Sequence, residues 1–262
     1  MWLDQEAPIR KQEILLEKPL LNAPGALGFY PNPHTMPFLS HMGAFVTNPI
    51  SHLSRQPAGN RAYIPFPGGF LLHTGLPNPG ITRAISQFKH RWAGAPLPVI
   101  VHLLVESPQS MAEMLQRPEG LENIMAVELG LPPDCQPETL GAVLDAARGE
   151  LPVILSLSPE QVPVLIQVLK ENPLIPLHLT EPRGMLPTSQ GEWVTGRLYG
   201  PAIFPLTIKT VKELRNEGLQ VIASGGVTTS WQAKALLAFG VMGVGLGSIL
   251  WGVDSADFFK HF

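Results

Sequence analysis

The sequence predicts an α/β protein, a (β/α)8 TIM barrel built as a single domain over residues 1–262, and three observations carry that prediction. Short β-branched runs alternate with longer helical patterns every 25 to 30 residues or so, about the rhythm of parallel βαβ units. About eight such strands fit into 262 residues, the size of a closed barrel. No G-x-G-x-x-G turn follows an early strand, as an open nucleotide-binding sheet would show, and the glycine pairs stand late in the chain.

Each element has a local reason. Residues 44–47 are β-like and stop at Asn48-Pro49. Residues 97–104 have the β-branched content and length of a buried strand. Ser107-Pro108 then opens a helix through Met111, Met114 and Leu115, with serine as N-cap and proline in the first turn. Residues 124–129 form the next strand, followed by a proline loop and a helix over 138–148. Residues 152–157 are a strand, and Ser158-Pro159 opens a helix carrying Val162, Leu165, Ile166 and Leu169. A strand over 174–180 precedes a helix over 203–217, which Gly218 ends. Residues 221–224, 230–239 and 243–246 read as strand, helix and last strand.

Composition narrows the class. The chain is 45% hydrophobic and 15% charged, which supports a sizeable core and excludes disorder. Its 28 prolines are about twice the usual ~5% share and show no tandem period, so they punctuate many short elements. A net charge of -3 lacks the electrostatic footprint of a nucleic-acid binder. No apolar run approaches the ~18 residues of a membrane span, and Met1 to Glu6 lack a signal peptide's basic start. One cysteine, Cys135, excludes an intrachain disulfide and fits a cytoplasmic location. His34, His41 and His52 share no ligand spacing, so no metal site is expected.

Two loops point to phosphate. Gly225-Gly226 follows one strand, and Gly247-Ser248 follows the next about twenty residues on. In a barrel these are the loops after strands seven and eight, whose amides and short final helix can cradle a phosphate. Glycine lets the backbone approach the oxygens without a Cβ in the way.

Residues 221–251 resemble the carboxyl end of the dihydroorotate dehydrogenase family, FMN-binding barrels, and three further segments agree in order. Residues 18–29 look like the family's first flavin-contacting strand and loop. Residues 67–80 are similar to its G-L-x-N-x-G loop. Residues 196–203 resemble its G-G-L-S-G-P-A segment. The resemblance implies an FMN oxidoreductase with flavin at the C-terminal mouth of the barrel. Ala23 and Gly25 would line the flavin, Gly200 would approach it, and Gly225, Gly226, Gly247 and Ser248 would hold its phosphate. Ser156 would stand at the family's flavin-ring lysine, while Asn78 and Thr180 would contact a small substrate such as a planar carboxylic acid. A homodimer is the expected assembly, and a separate electron-transfer subunit is compatible with it.

The chain departs from the family where a proton must be taken. An ungapped match puts Gly130 at the first asparagine of E-L-N-x-S-C-P-N and Pro133 at the cysteine base. Proline accepts no proton, whereas Cys135, two residues on, is the nearest candidate. Asn48 stands at a second family lysine and Thr180 at an asparagine. His102, Glu128, Glu181 and Arg183 are polar residues at or near strand ends, where barrel chemistry sits. His102 is a candidate acid–base. Two other readings stay open: a non-catalytic barrel that keeps the phosphate cradle as a binding or scaffold subunit, and a flavin-free phosphate-handling enzyme.

Overall fold

The computed structural model describes residues 13–147, 149–252 and 255–262. The expected features at Met1 to Glu6 and at Arg148 lie outside these residues. Eight parallel strands form the barrel: β1 (Leu20–Asn22), β2 (Phe45–Val46), β5 (Val99–Leu104), β6 (Ile124–Gly130), β7 (Val153–Leu157), β8 (Leu177–Leu179), β11 (Val221–Ser224) and β12 (Gly243–Leu246). They run in the order β1-β12-β11-β8-β7-β6-β5-β2. A parallel bridge from Leu21 to Ala44 joins the two ends.

Closure there is completed by a side chain. β1 and β2 are short, and the Asn22 amide replaces a missing rung between them. Its Nδ2 donates to the Val46 carbonyl at 2.6 Å, and its Oδ1 accepts from the Val46 N–H at 2.9 Å. A primary amide can do this because it carries the donor and acceptor of a peptide group.

Around the barrel lie α1 (Ile81–Ala93), α2 (Pro108–Gln116), α3 (Pro137–Ala146), α4 (Val162–Glu171), α5 (Phe204–Asn216), α6 (Ser230–Ala238) and α7 (Ser255–His261). Ser107 caps α2 as its sequence predicts, in a reciprocal box with Ser110, and Thr229 caps α6 with Gln232. The main apolar core packs these helices against the outer faces of the strands. A second cluster, including Leu21, Ala44, Val46, Ile100, Ala126, Ile154 and Ile222, fills the barrel interior as an apolar floor.

The sequence pattern missed a second sheet. β3 (Ala62–Phe66), β4 (Gly69–His73), β9 (Arg183–Pro187) and β10 (Trp193–Tyr199) make an antiparallel sheet in the order β3-β4-β10-β9. Two of its segments are those read as family loops, 67–80 and 196–203. Their exposed, weakly alternating residues carry little strand signal, and the pairing comes from two hairpins set far apart in sequence. The strand expected over 174–180 is also shorter, Leu177–Leu179, because Leu174 is solvent-exposed.

Asn22→Ala would leave the Val46 N–H and carbonyl buried without partners. We expect a loss of about 2 to 4 kcal/mol in chemical denaturation, with the fold unchanged by circular dichroism.

Candidate active site

Side chains alternate in and out along each strand, so the residues two beyond the floor also face inward. Two beyond Ile100, Ala126, Ile154 and Ile222 stand His102, Glu128, Ser156 and Ser224. His178, registered beside Ser156 and Ile222, joins them. The result is a polar layer on an apolar floor, just beneath the C-terminal mouth.

Glu128 organises the layer. Its Oε1 lies 3.0 Å from His102 Nδ1 and its Oε2 2.9 Å from His178 Nδ1. His178 Nε2 lies 2.7 Å from Ser224 Oγ. None of the four is more than 1% exposed. Burial alone would push the Glu128 carboxyl up. The electrostatic pull of His178 and the hydrogen bonds from both rings outweigh it, and the carboxyl is held well below the usual range. With a carboxylate facing both Nδ1 atoms, each ring carries its hydrogen there. His178 Nε2 then meets the Ser224 hydroxyl, while His102 Nε2 faces Gly130.

That Nε2 points up and across to β6. It lies 2.4 Å from where a Cβ on Gly130 would stand. The imidazole from β5 thus fills the space that a side chain at this position of β6 would take. Gly245 is small for a similar reason, since its Cβ would fall 1.8 Å from Ser224 Oγ.

Above this layer, which includes Ser156, the mouth is lined by Ala23, Thr180, Glu181 and the two glycine loops. Gly225 and Gly226 have φ of +108° and +74°, which L side chains rarely adopt, and the N-terminus of α5 backs Gly226. Gly247 precedes the short 3-10 turn Ser248–Trp251. Arg197 and Tyr199 descend from β10. Arg197 Nη1 donates to Thr180 Oγ1 at 2.8 Å, and Thr180 Oγ1 donates to the Leu157 carbonyl. Tyr199 stacks on Phe70 and packs against Trp251, which ties the second sheet over the mouth. Burial, then the nearby Glu181, push the Tyr199 phenol well up, so it stays protonated.

Among the described residues, two buried side-chain polar atoms lack a hydrogen-bond partner, Ser156 Oγ and Glu181 Oε2. Both lie at this mouth. Native proteins rarely leave such atoms orphaned, because each costs about 1 to 3 kcal/mol unpaired.

The comparisons with known proteins agree with this architecture. The chain is 26% identical to the catalytic subunit of dihydroorotate dehydrogenase B (NAD(+)) of Pelobacter propionicus, over 92% of this chain and 86% of the relative. It is 25% identical to a putative dihydroorotate dehydrogenase A (fumarate) of Pediococcus pentosaceus, over 91% and 86%. The DHODH of Eimeria tenella, solved in complex with ferulenol, superimposes with a TM-score of 0.73 at 14% identity, covering 92% of this chain and 79% of that one. The chain resembles the dihydroorotate dehydrogenase family over nearly its whole length. No family model matches it.

Within that resemblance the candidate residues come together only in part. Ala23, Ser156, Thr180, Gly225, Gly247 and His102 converge on the mouth and the layer beneath it, with Gly226 and Ser248 at its rim. Gly200 has φ +110°, and a Cβ there would strike the backbone of Gly68 and Gly69 in the β3–β4 turn. Gly25 is exposed against Pro49. Asn78 ties its own loop to the one after β2: its Oδ1 accepts from the Ser51 and Gly80 N–H groups and the Ser51 hydroxyl, and its Nδ2 donates to the Leu76 carbonyl. Cys135 sits in the loop before α3 with Sγ near the Gln136 carbonyl, and burial followed by Asp134 pushes its thiol up, against thiolate formation. Arg183, half-buried on β9, has Glu160 beside it.

His178, Arg197, Tyr199 and Asn22 escaped the sequence reading. His178 alone carried a usable signal, since it alternates with Thr180 on one face of a short strand. The other three act through contacts distant in sequence.

Two outcomes test the layer. Gly130→Ala should cost about 1 to 3 kcal/mol by crowding His102, and the double variant with His102→Ala should recover most of it in a double-mutant cycle. Glu128 has a depressed carboxyl, so its stabilisation is full above the ordinary value of 4.5 and lost as pH falls below it. Glu128→Gln should remove that acid dependence from thermal unfolding and cost about 3 kcal/mol at neutral pH.

Proposed function

We propose that the chain is an FMN-dependent oxidoreductase of the dihydroorotate dehydrogenase type, acting on a small molecule, with substrate chemistry altered from dihydroorotate oxidation. The observation that carries this reading is a pair of orphaned buried polar atoms, Ser156 Oγ at the end of β7 and Glu181 Oε2 on the carboxyl beside Gly247. The residues fit the phosphate end of the group. Gly225, Gly226 and Gly247 offer backbone free of side chains, Ser248 a hydroxyl, and Ser156 a donor for the ring's carbonyl edge. When bound there, FMN supplies a two-electron acceptor.

The chain's own residues supply the proton chemistry. Glu128 fixes the His102 ring through Nδ1 and leaves the Nε2 lone pair toward the mouth, the arrangement of a base with an orienting carboxylate. Pro133 cannot serve, and the buried Cys135 thiol is raised, so proton transfer falls to His102. The substrate end is poor in free donors, because Asn78 is spent on its loop and Thr180 on Arg197 and Leu157. A polar planar acid such as dihydroorotate is penalised where its donors are missing. The single cysteine supports a reducing, cytoplasmic setting. No helix among the described residues is long and apolar enough to cross a membrane.

One observation favours a second reading, a non-catalytic barrel. Ala23, Ser156, Thr180 and Glu181 are at most 3% exposed, so the mouth is closed by side chains. An absorbance spectrum of the purified protein separates the two. The proposed function expects flavin bands, and His102→Asn should keep the flavin while slowing its reduction by substrate about 100-fold or more. A colourless protein that takes up no added FMN sinks the oxidoreductase reading.

A further inference from the structure

Glu181 is the unusual residue of this mouth. It follows β8, is 2% exposed, and turns its carboxyl across the barrel to the loop after β12. Its Oε1 lies 2.8 Å from where a Cβ on Gly247 would stand, and the Ala23 methyl is 3.9 Å from the same point. A carboxyl group is thus seated against the glycine that the phosphate reading needs, with Oε2 left without a partner. A carboxylate beside a dianionic phosphate is strongly unfavourable, whereas a carboxylic acid in that place is a hydrogen-bond donor to it.

We propose that Glu181 is a further ligand-binding residue of the phosphate cradle: as the acid it donates a hydrogen bond to a phosphate oxygen at Gly247, and as the carboxylate it expels the phosphate. This rests on the proposed flavin site but concerns a residue that no feature of the resemblance supplies. The surroundings favour the acid. Burial is the largest influence and pushes the carboxyl above its ordinary value, while Arg197 pulls the other way. The charged and titratable groups around it are Arg197 and Tyr199 from β10, His178 from β8 and Glu128 from β6. Ala23 and Gly247, from the remaining sides, bring none. Glu128 disfavours a second anion, and the Arg197 guanidinium is already shared with Thr180 and the Glu181 carbonyl.

The sign follows. Below the raised value the proton stays on Glu181 and phosphate is accepted; above it the cradle carries a fixed negative charge. Phosphate-end affinity therefore falls as pH rises.

The test uses the full chain freed of flavin, titrated separately with FMN and with riboflavin, the same ring without phosphate, at pH 5.5 to 8 by fluorescence quenching. In the wild type the ratio of FMN to riboflavin affinity should fall about tenfold or more across this range. In Glu181→Gln, a neutral donor of the same shape, the excess fall should vanish and FMN binding at pH 8 should tighten. The phosphate's own ionisation is common to both proteins and cancels in the comparison. An E181Q variant with the wild-type pH dependence, or with weaker FMN binding at pH 8, overturns the proposal while leaving the flavin site standing. Should E181Q not fold, Glu181→Met is read in its place, with loss of the pH dependence as the expected result. If neither flavin binds the wild type, the oxidoreductase reading fails by itself, and inorganic phosphate becomes the probe. A phosphate-dependent rise in Tm that fades with pH in the wild type but not in E181Q supports Glu181, and no rise in Tm overturns it.

Discussion

A buried carboxylate with two imidazoles on it sets the terms for the interior of this barrel. Glu128 is fully buried, and ionised it is tolerable only because both oxygens receive ring nitrogens, at 3.0 and 2.9 Å. Taking either histidine away would leave an anion uncompensated in a low-dielectric core, at a cost of several kcal/mol. The three residues therefore stand or fall together, and they come from β5, β6 and β8. Ser224 extends the chain of contacts to β11. A network spanning half the circumference fixes the register of those strands as firmly as the apolar floor beneath does, since a one-residue slip would turn every member outward.

Such a layer also gives the mouth its polarity. With Nδ1 of each ring pinned, the second nitrogens have defined directions: His178 spends its own on Ser224, and His102 presents its own upward beside Gly130. A histidine so oriented has its ring direction fixed before any ligand arrives, which is the structural content of preorganisation. The second sheet complements it from above. Arg197 and Tyr199 reach down from β10, and the Phe70, Tyr199 and Trp251 rings seal the rim.

The barrel was legible in the sequence because its signals are local. β-Branched runs such as 99–104 and capping serines such as Ser107 declare themselves within a few residues, and their spacing implies parallel crossovers. The antiparallel sheet was not legible, because β4 and β10 pair across more than a hundred residues and many of their side chains are only partly buried. The site divided along the same line. His102, Glu128 and Glu181 could be singled out as polar residues on strands or at their ends. Their partners could not be, since His178 joins Glu128 across β7 and Arg197 joins Thr180 from another sheet. Asn78 shows the reverse case: its place in a recognisable loop motif suggested ligand contact, while its amide is consumed in holding the loop's shape.

The glycines near the mouth carry a meaning that turn propensity alone does not. At Gly225 and Gly226 the positive φ values explain glycine by backbone conformation. At Gly130 and Gly245 no positive φ is involved, and the explanation is volume received from a neighbour: the His102 ring, and the Ser224 hydroxyl with His178 behind it. In each case one strand gives up its side chain and a polar group from another element occupies the space. Such exchanges conserve packing while relocating chemistry, so they are invisible to a motif that scores each position separately. They let a chain keep the outline of its relatives' barrel at 26% identity while its buried polar groups stand on different strands. The glycine at 130 and the histidine at 102 are complementary in volume, since no side chain could stand at 130 with the ring in place.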